Sequence, residues 1–214
     1  LCFSLGDVSR IGGADLRKRI TTVSMLALAG LATTAAADEG QTHATSVSPI
    51  FLQGTLQGCS VSFDVVRQDA EYSRNAPVQV SGSLTFWAMT GKEPAVGLKL
   101  GTSRVGNSSP PTAPATAYLV SDFGTNAADL VGSQLSDTPG FRVFAFAISD
   151  ETLKALTPGF EPGVFRFAYA PAGGETGAIT AVDLNVSSVT SGQQVVDGKS
   201  RATWALCINR LLKT

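Results

Sequence analysis

Between Cys59 and Val65 the chain alternates strictly. Cys59, Val61, Phe63 and Val65 fall on one side of an extended backbone, Ser60, Ser62 and Asp64 on the other. A period of two describes a strand with one buried and one wet face, whereas a helix would repeat its apolar positions every 3.6 residues. The pattern returns over residues 78–86, VQVSGSLTF. Further strands are expected over residues 51–56, 95–100, 116–121, 141–148, 164–170, 178–189 and 201–208. They are separated by turn-forming stretches: GNSSPPTAP at 106–114, TPGFEPG at 157–163 and PAGGETG at 171–177. Many short strands with such punctuation predict an all-β fold, an antiparallel β-sandwich of jelly-roll or immunoglobulin-like type.

One or two short helices are expected within it. One covers residues 126–133. The other covers 150–156, with Ser149 or Asp150 as N-cap and Pro158-Gly159 as its stop. At the C-terminus a strand over 201–208 puts Trp204, Leu206 and Ile208 on one side. A helix there would instead align Trp204, Cys207, Ile208 and Leu211 and turn Cys207 inward; the strand is the preferred reading. The sequence TPGF occurs at 138–141 and again at 157–160, each time ahead of a Phe-rich run. This echo predicts two neighbouring strands of similar burial.

Upstream of the strands the grammar changes. Arg17-Lys18-Arg19 is followed by an uncharged, mostly apolar run at 20–32, then by Ala35-Ala36-Ala37 and the acidic pair Asp38-Glu39. A basic n-region, a short apolar core and a small-residue cleavage site, in that order, form a secretory signal peptide. The run is too short to span a bilayer, which takes ~20 residues. The expected organisation is an upstream extension plus signal peptide (1–37), a flexible leader-in (38–50) and a single folded domain (51–214). The mature protein is then exported, periplasmic or extracellular, with no integral membrane span.

Cleavage after Ala37 leaves 177 residues with 12 basic and 15 acidic side chains, a net charge of −3. A mildly acidic domain without a basic stripe excludes nucleic acid as a partner and electrostatic docking on anionic lipid. Of three cysteines, Cys2 lies upstream of the cut; Cys59 and Cys207 remain. In an oxidising compartment they are expected to form one intramolecular disulfide across the domain.

The candidate chemistry is sparse. The single His43 lies in the expected leader-in, badly placed for a triad or a metal site, and reads as a solvated bystander. Asp64, Asp69 and Glu71 follow the first alternating strand and offer the carboxylates that a glycosidase-like periplasmic hydrolase requires. Asp122, Asn126 and Asp129 form an oxygen-rich loop that lacks EF-hand spacing and reads as a turn at a helix start. Asn107-Ser108-Ser109 and Asn185-Val186-Ser187 match the N-glycosylation pattern. Seven of the sixteen aromatic residues fall between Phe141 and Tyr169, mostly as Phe, and read as core. Trp87 falls on the wet side of its strand, just before Met89, and this pair is the expected contact surface. No cofactor or metal ligand set is expected. The function these features favour is a non-catalytic, exported binding or envelope-associated β-sandwich protein with a protein or glycan partner in the cell envelope. A carboxylate-based hydrolase using Asp64, Asp69 or Glu71 is the alternative.

Overall fold

A computed structural model of the protein describes residues 39–68, 77–88, 93–106, 109–171 and 177–213. Four long strands open the fold: β1 (Gln41–Leu52), β2 (Thr55–Gln68), β3 (Pro77–Trp87) and β4 (Ala95–Arg104). After them come β5 (Thr116–Ser121), β6 (Gly124–Thr125), β7 (Leu130–Leu135) and β8 (Arg142–Ala147). Helix α1 (Asp150–Leu156) precedes β9 (Val164–Ala170), β10 (Ala178–Asp183), β11 (Val186–Thr190), β12 (Gln193–Val196) and helix α2 (Lys199–Leu211). The strands form a six-stranded sheet β1-β2-β3-β4-β8-β7, a four-stranded sheet β10-β9-β5-β6 and the hairpin β11-β12. All pairings are antiparallel.

The alternation of β2 and β3 is realised as expected. Cys59, Val61, Phe63, Val65, Val78, Val80, Leu84 and Phe86 are all buried. Phe63 reaches the second sheet, meeting Phe165 edge-on at 5.6 Å and Phe167 at 5.4 Å between centroids. Offset and edge-on aromatic pairs of this kind add to the area they bury. Gly82 makes room for that ring: a Cβ there would lie 3.0 Å from Phe63 Cζ and 2.2 Å from the Lys99 carbonyl oxygen.

Several expectations change. Residues 38–50, expected as a flexible leader-in, contain most of β1, which pairs with β2 from Gln41 to Leu52. Its inward positions are threonines, which hide it from a search for apolar alternation. The Thr45 hydroxyl donates to the Val186 carbonyl at 2.5 Å, and the Asp183 N–H donates to the Thr42 hydroxyl at 2.9 Å. The strand expected over 51–56 is instead the turn between β1 and β2, with Gln53 and Gly54 both at positive φ. The strand expected over 178–189 divides at Leu184-Asn185 into β10 and β11, which belong to different sheets. The helix expected over 126–133 is only a 3-10 turn, Ala127–Asp129, followed by β7. The two strands introduced by the TPGF echo are not neighbours either: β8 lies between β4 and β7, while β9 lies between β5 and β10.

The C-terminal strand over 201–208 is overturned as well. The segment is helical, and Trp204, Cys207, Ile208 and Leu211 form the buried stripe. The Asp197 carboxylate accepts from the Lys199 N–H at 3.0 Å and the Leu184 carbonyl accepts from the Arg201 N–H at 3.0 Å, so the helix start is satisfied without a side chain at the N-cap, Gly198. The helical stripe carries Cys207 to Cys59, whose Cα lies 6.0 Å away, and the two form a disulfide. Helix α1 has the boundaries and the cap expected of it: the Ser149 hydroxyl accepts from the N–H groups of Glu151 and Thr152.

Candidate functional site

The outer face of the six-stranded sheet is built from small side chains in register. Ser46, Ser62, Ser83 and Lys99 stand abreast on β1 to β4. The next row is Ala44, Asp64, Ser81 and Gly101. Together they floor an open groove of about 480 Å³. One wall is the turn before β8. There the Phe141 ring lies over Gly101, where a Cβ would come within 2.9 Å of it. Lys99 Nζ sits 5.4 Å from the Phe141 centroid and donates to the Thr138 hydroxyl at 2.8 Å. The opposite wall is Ser187 of β11.

Polar groups in the groove are oriented by one another. The Asp64 carboxylate accepts from Gln79 Nε2 at 3.1 Å and from the Ser81 hydroxyl at 2.5 Å. Beside the groove, the Asp137 carboxyl is held below its ordinary pKa by the Ser136 hydroxyl, by the Thr138 N–H and by the charge of Lys99. The groove therefore offers a fixed carboxylate, an ammonium group and several hydroxyls, a set suited to a ligand that both donates and accepts hydrogen bonds.

Trp87 lies on this same face, at the far end of β3. A Cβ on Gly58 of β2 would sit 3.0 Å from the indole Cε3, and one on Gly97 of β4 would sit 3.6 Å from its Nε1. The ring is thus laid across two glycines on the flanking strands, and it is half-buried. From Trp87 to Ser83 is about 13 Å along the strand, and the Ser60–Thr85 hydroxyl pair (2.9 Å) lies between them. Sequence reasoning found Trp87 but missed Ser46, Lys99, Phe141 and Ser187, because only cross-strand register brings them together. Gly58, Gly97 and Gly101 were the available signal, since a glycine in a strand marks a close approach.

The other candidates fall elsewhere. Met89, Asp69, Glu71, Asn107 and Ser108 lie outside the described residues, so of the three expected carboxylates only Asp64 can be placed, and it lines the groove. His43 is half-buried at a bulge of β1, where Thr42 pairs with Val65 and Ala44 with Asp64. In the oxygen-rich loop, Asn126 Oδ1 accepts from the Leu119 N–H at 2.8 Å and Asn126 Nδ2 donates to Thr152 Oγ1 at 3.0 Å. Asp129 accepts from the hydroxyls of Ser149 and Thr152. These groups tie α1 to the β5–β7 connection, while Asp122 is exposed. Among the described residues no three His, Cys, Asp or Glu side chains gather as a metal site, and no helix is long and apolar enough to cross a membrane. The Asn185 amide donates to the Pro162 carbonyl at 3.1 Å and to Asp183 at 2.8 Å. Comparison with protein-family models, with curated proteins and with solved structures finds no match.

Proposed function

We propose that this chain is an exported, non-catalytic β-sandwich that binds a glycan of the cell envelope along the outer face of its six-stranded sheet. The observation that carries the reading is the Trp87 indole, laid flat across Gly58 and Gly97 in line with the serine-rich groove. A flat aromatic surface complements the apolar face of a sugar ring, and hydroxyls with a fixed carboxylate complement its edges. The sandwich arrangement is supported by the contacts of Phe63 with Phe165 and Phe167. Export is supported by the tripartite leader and by a disulfide, a bond that persists in oxidising compartments.

A binder is preferred to a hydrolase because Asp64 is the one carboxylate lining the groove among the described residues, and glycoside hydrolysis uses two. The test is titration of the protein with a panel of neutral and acidic oligosaccharides, followed by tryptophan fluorescence. Trp87→Ala should weaken the best ligand about tenfold or more, the equivalent of ~1.4 kcal/mol, without changing the melting temperature. Equal affinity of wild type and Trp87→Ala would sink the reading, and so would release of shortened sugars that Asp64→Asn abolishes.

A further inference from the structure

A second cavity lies away from the glycan groove, under the two helices. It measures about 420 Å³, within the usual range of small-molecule sites, roughly 300–1,000 Å³. Phe86 and Ala88 at the end of β3, Ile148 after β8, Leu156 of α1, Phe160 and Trp204 form its body, and Phe160 stacks on Trp204 with centroids 6.3 Å apart. Its one hydroxyl-bearing residue, Thr157, donates that hydroxyl to the Leu153 carbonyl at 2.8 Å. A water molecule inside would need two to four polar partners and finds almost none, so hydrocarbon is the favoured content.

The cavity's shape narrows the choice of occupant. Trp204 is 2 % exposed, and Leu156, Phe86 and Ile208 are nearly as buried, so the floor is reached only through a narrow opening. Leu153 and Leu212 stand at the mouth, 45 % and 68 % exposed. A slender chain fits such an opening; a helix or a sheet face does not. Charge at the mouth sets the other end of the ligand. Arg210 in the last turn of α2 and Lys213 just beyond Leu212 make no ion pair among the described residues. The neighbouring Glu151 and Glu161 are engaged by Lys154 and Arg201, leaving only Glu93, exposed beside Pro94, as an unengaged acid.

We propose that this cavity binds the hydrocarbon chain of a single-tailed anionic amphiphile, of the fatty-acid class, with its head group beside Arg210 and Lys213. The site is independent of the glycan groove, so either can fail alone. The experiment is fluorescence titration of the disulfide-intact protein with ω-bromododecanoate, using Trp87→Phe to leave Trp204 as the only emitter. Bromine at the chain end should quench Trp204 at concentrations below micelle formation. Across unbrominated octanoate, decanoate and dodecanoate, competing for the site, affinity should rise about fourfold per methylene until the cavity is full. Ala88→Phe, which fills the cavity, and Leu153→Lys, at its half-exposed mouth, should each weaken binding at least about tenfold. Dodecyltrimethylammonium should bind more weakly than dodecanoate. Three results overturn the proposal: no quenching, equal quenching in both cavity variants when circular dichroism shows them folded, or equal affinity for the cationic amphiphile. Self-association through Leu212 that dodecanoate leaves unchanged would overturn it as well.

Discussion

At the scale of single residues, glycine decides what the six-stranded sheet can present. On the inner side Gly82 leaves the space that Phe63 fills to reach Phe165 and Phe167. Gly82→Ala drives a methyl group against the Lys99 carbonyl, which cannot move without breaking the β3–β4 ladder. A loss of about 1–3 kcal/mol is expected, read as a lower urea midpoint with an unchanged slope. On the outer side Gly58 and Gly97 let the Trp87 ring lie down, and Gly101 does the same for Phe141. Gly97→Val should lift the indole from the sheet and weaken sugar binding while costing little stability, because that face is open to solvent. His43 offers the opposite case. It occupies a β1 bulge remote from Trp87 in the sheet register, so His43→Ala should leave sugar affinity unchanged in the same titration.

At the scale of elements, legibility followed the chemistry of the inward side chains. Strands β2 and β3 were readable because Val, Phe, Leu and Cys occupy their buried positions. Strand β1 was not, because Thr42 and Thr45 turn inward and are satisfied by residues 141 positions away in sequence. Neither hydropathy nor local spacing carries a partnership of that range. Helix α2 was misjudged for a different reason: Trp204 and Ile208 sit inward in both periodicities, and only Cys207 and Leu211 separate them. The disulfide acts at this scale, fixing α2 to β2 across 148 residues. Cys207→Ser removes a constraint worth ~4–5 kcal/mol in the chain-entropy model, so the melting temperature should fall by on the order of 10 °C with the far-ultraviolet spectrum retained. Helix α2 also carries a pH dependence. The Lys199 N–H holds the Asp197 carboxyl below its ordinary pKa. A carboxyl lowered on folding stabilises above its unfolded pKa, and that contribution is lost as pH falls through the folded one. Asp197→Asn should therefore flatten the acid limb of the stability–pH curve without altering stability at pH 7 by more than a fraction of the whole.

At the scale of the whole molecule, the order of the chain ties the export reading to the fold. The folded part takes hold of the chain at Glu39: its carbonyl accepts from the Ala181 N–H at 3.0 Å and its carboxylate from Arg166 Nε at 2.9 Å. Gly40 follows at φ +92°, its Cα so close to Val65 that a Cβ would meet the Val65 methyl at 2.7 Å, and β1 begins at Gln41. A protease cutting after Ala37 would thus release the domain one residue before its first anchor. A cut a few residues later would remove Glu39 and Gly40 and unpin both β9 and β10 from the edge of the fold. The two requirements, a small-residue site for the peptidase and an intact anchor for the domain, coincide only at the junction Ala37-Asp38. N-terminal sequencing of the exported protein should read Asp-Glu-Gly-Gln-Thr. A start beyond Gly40 would contradict the anchoring role of Glu39, and a mature form that keeps residues 17–32 would remove the basis for export altogether.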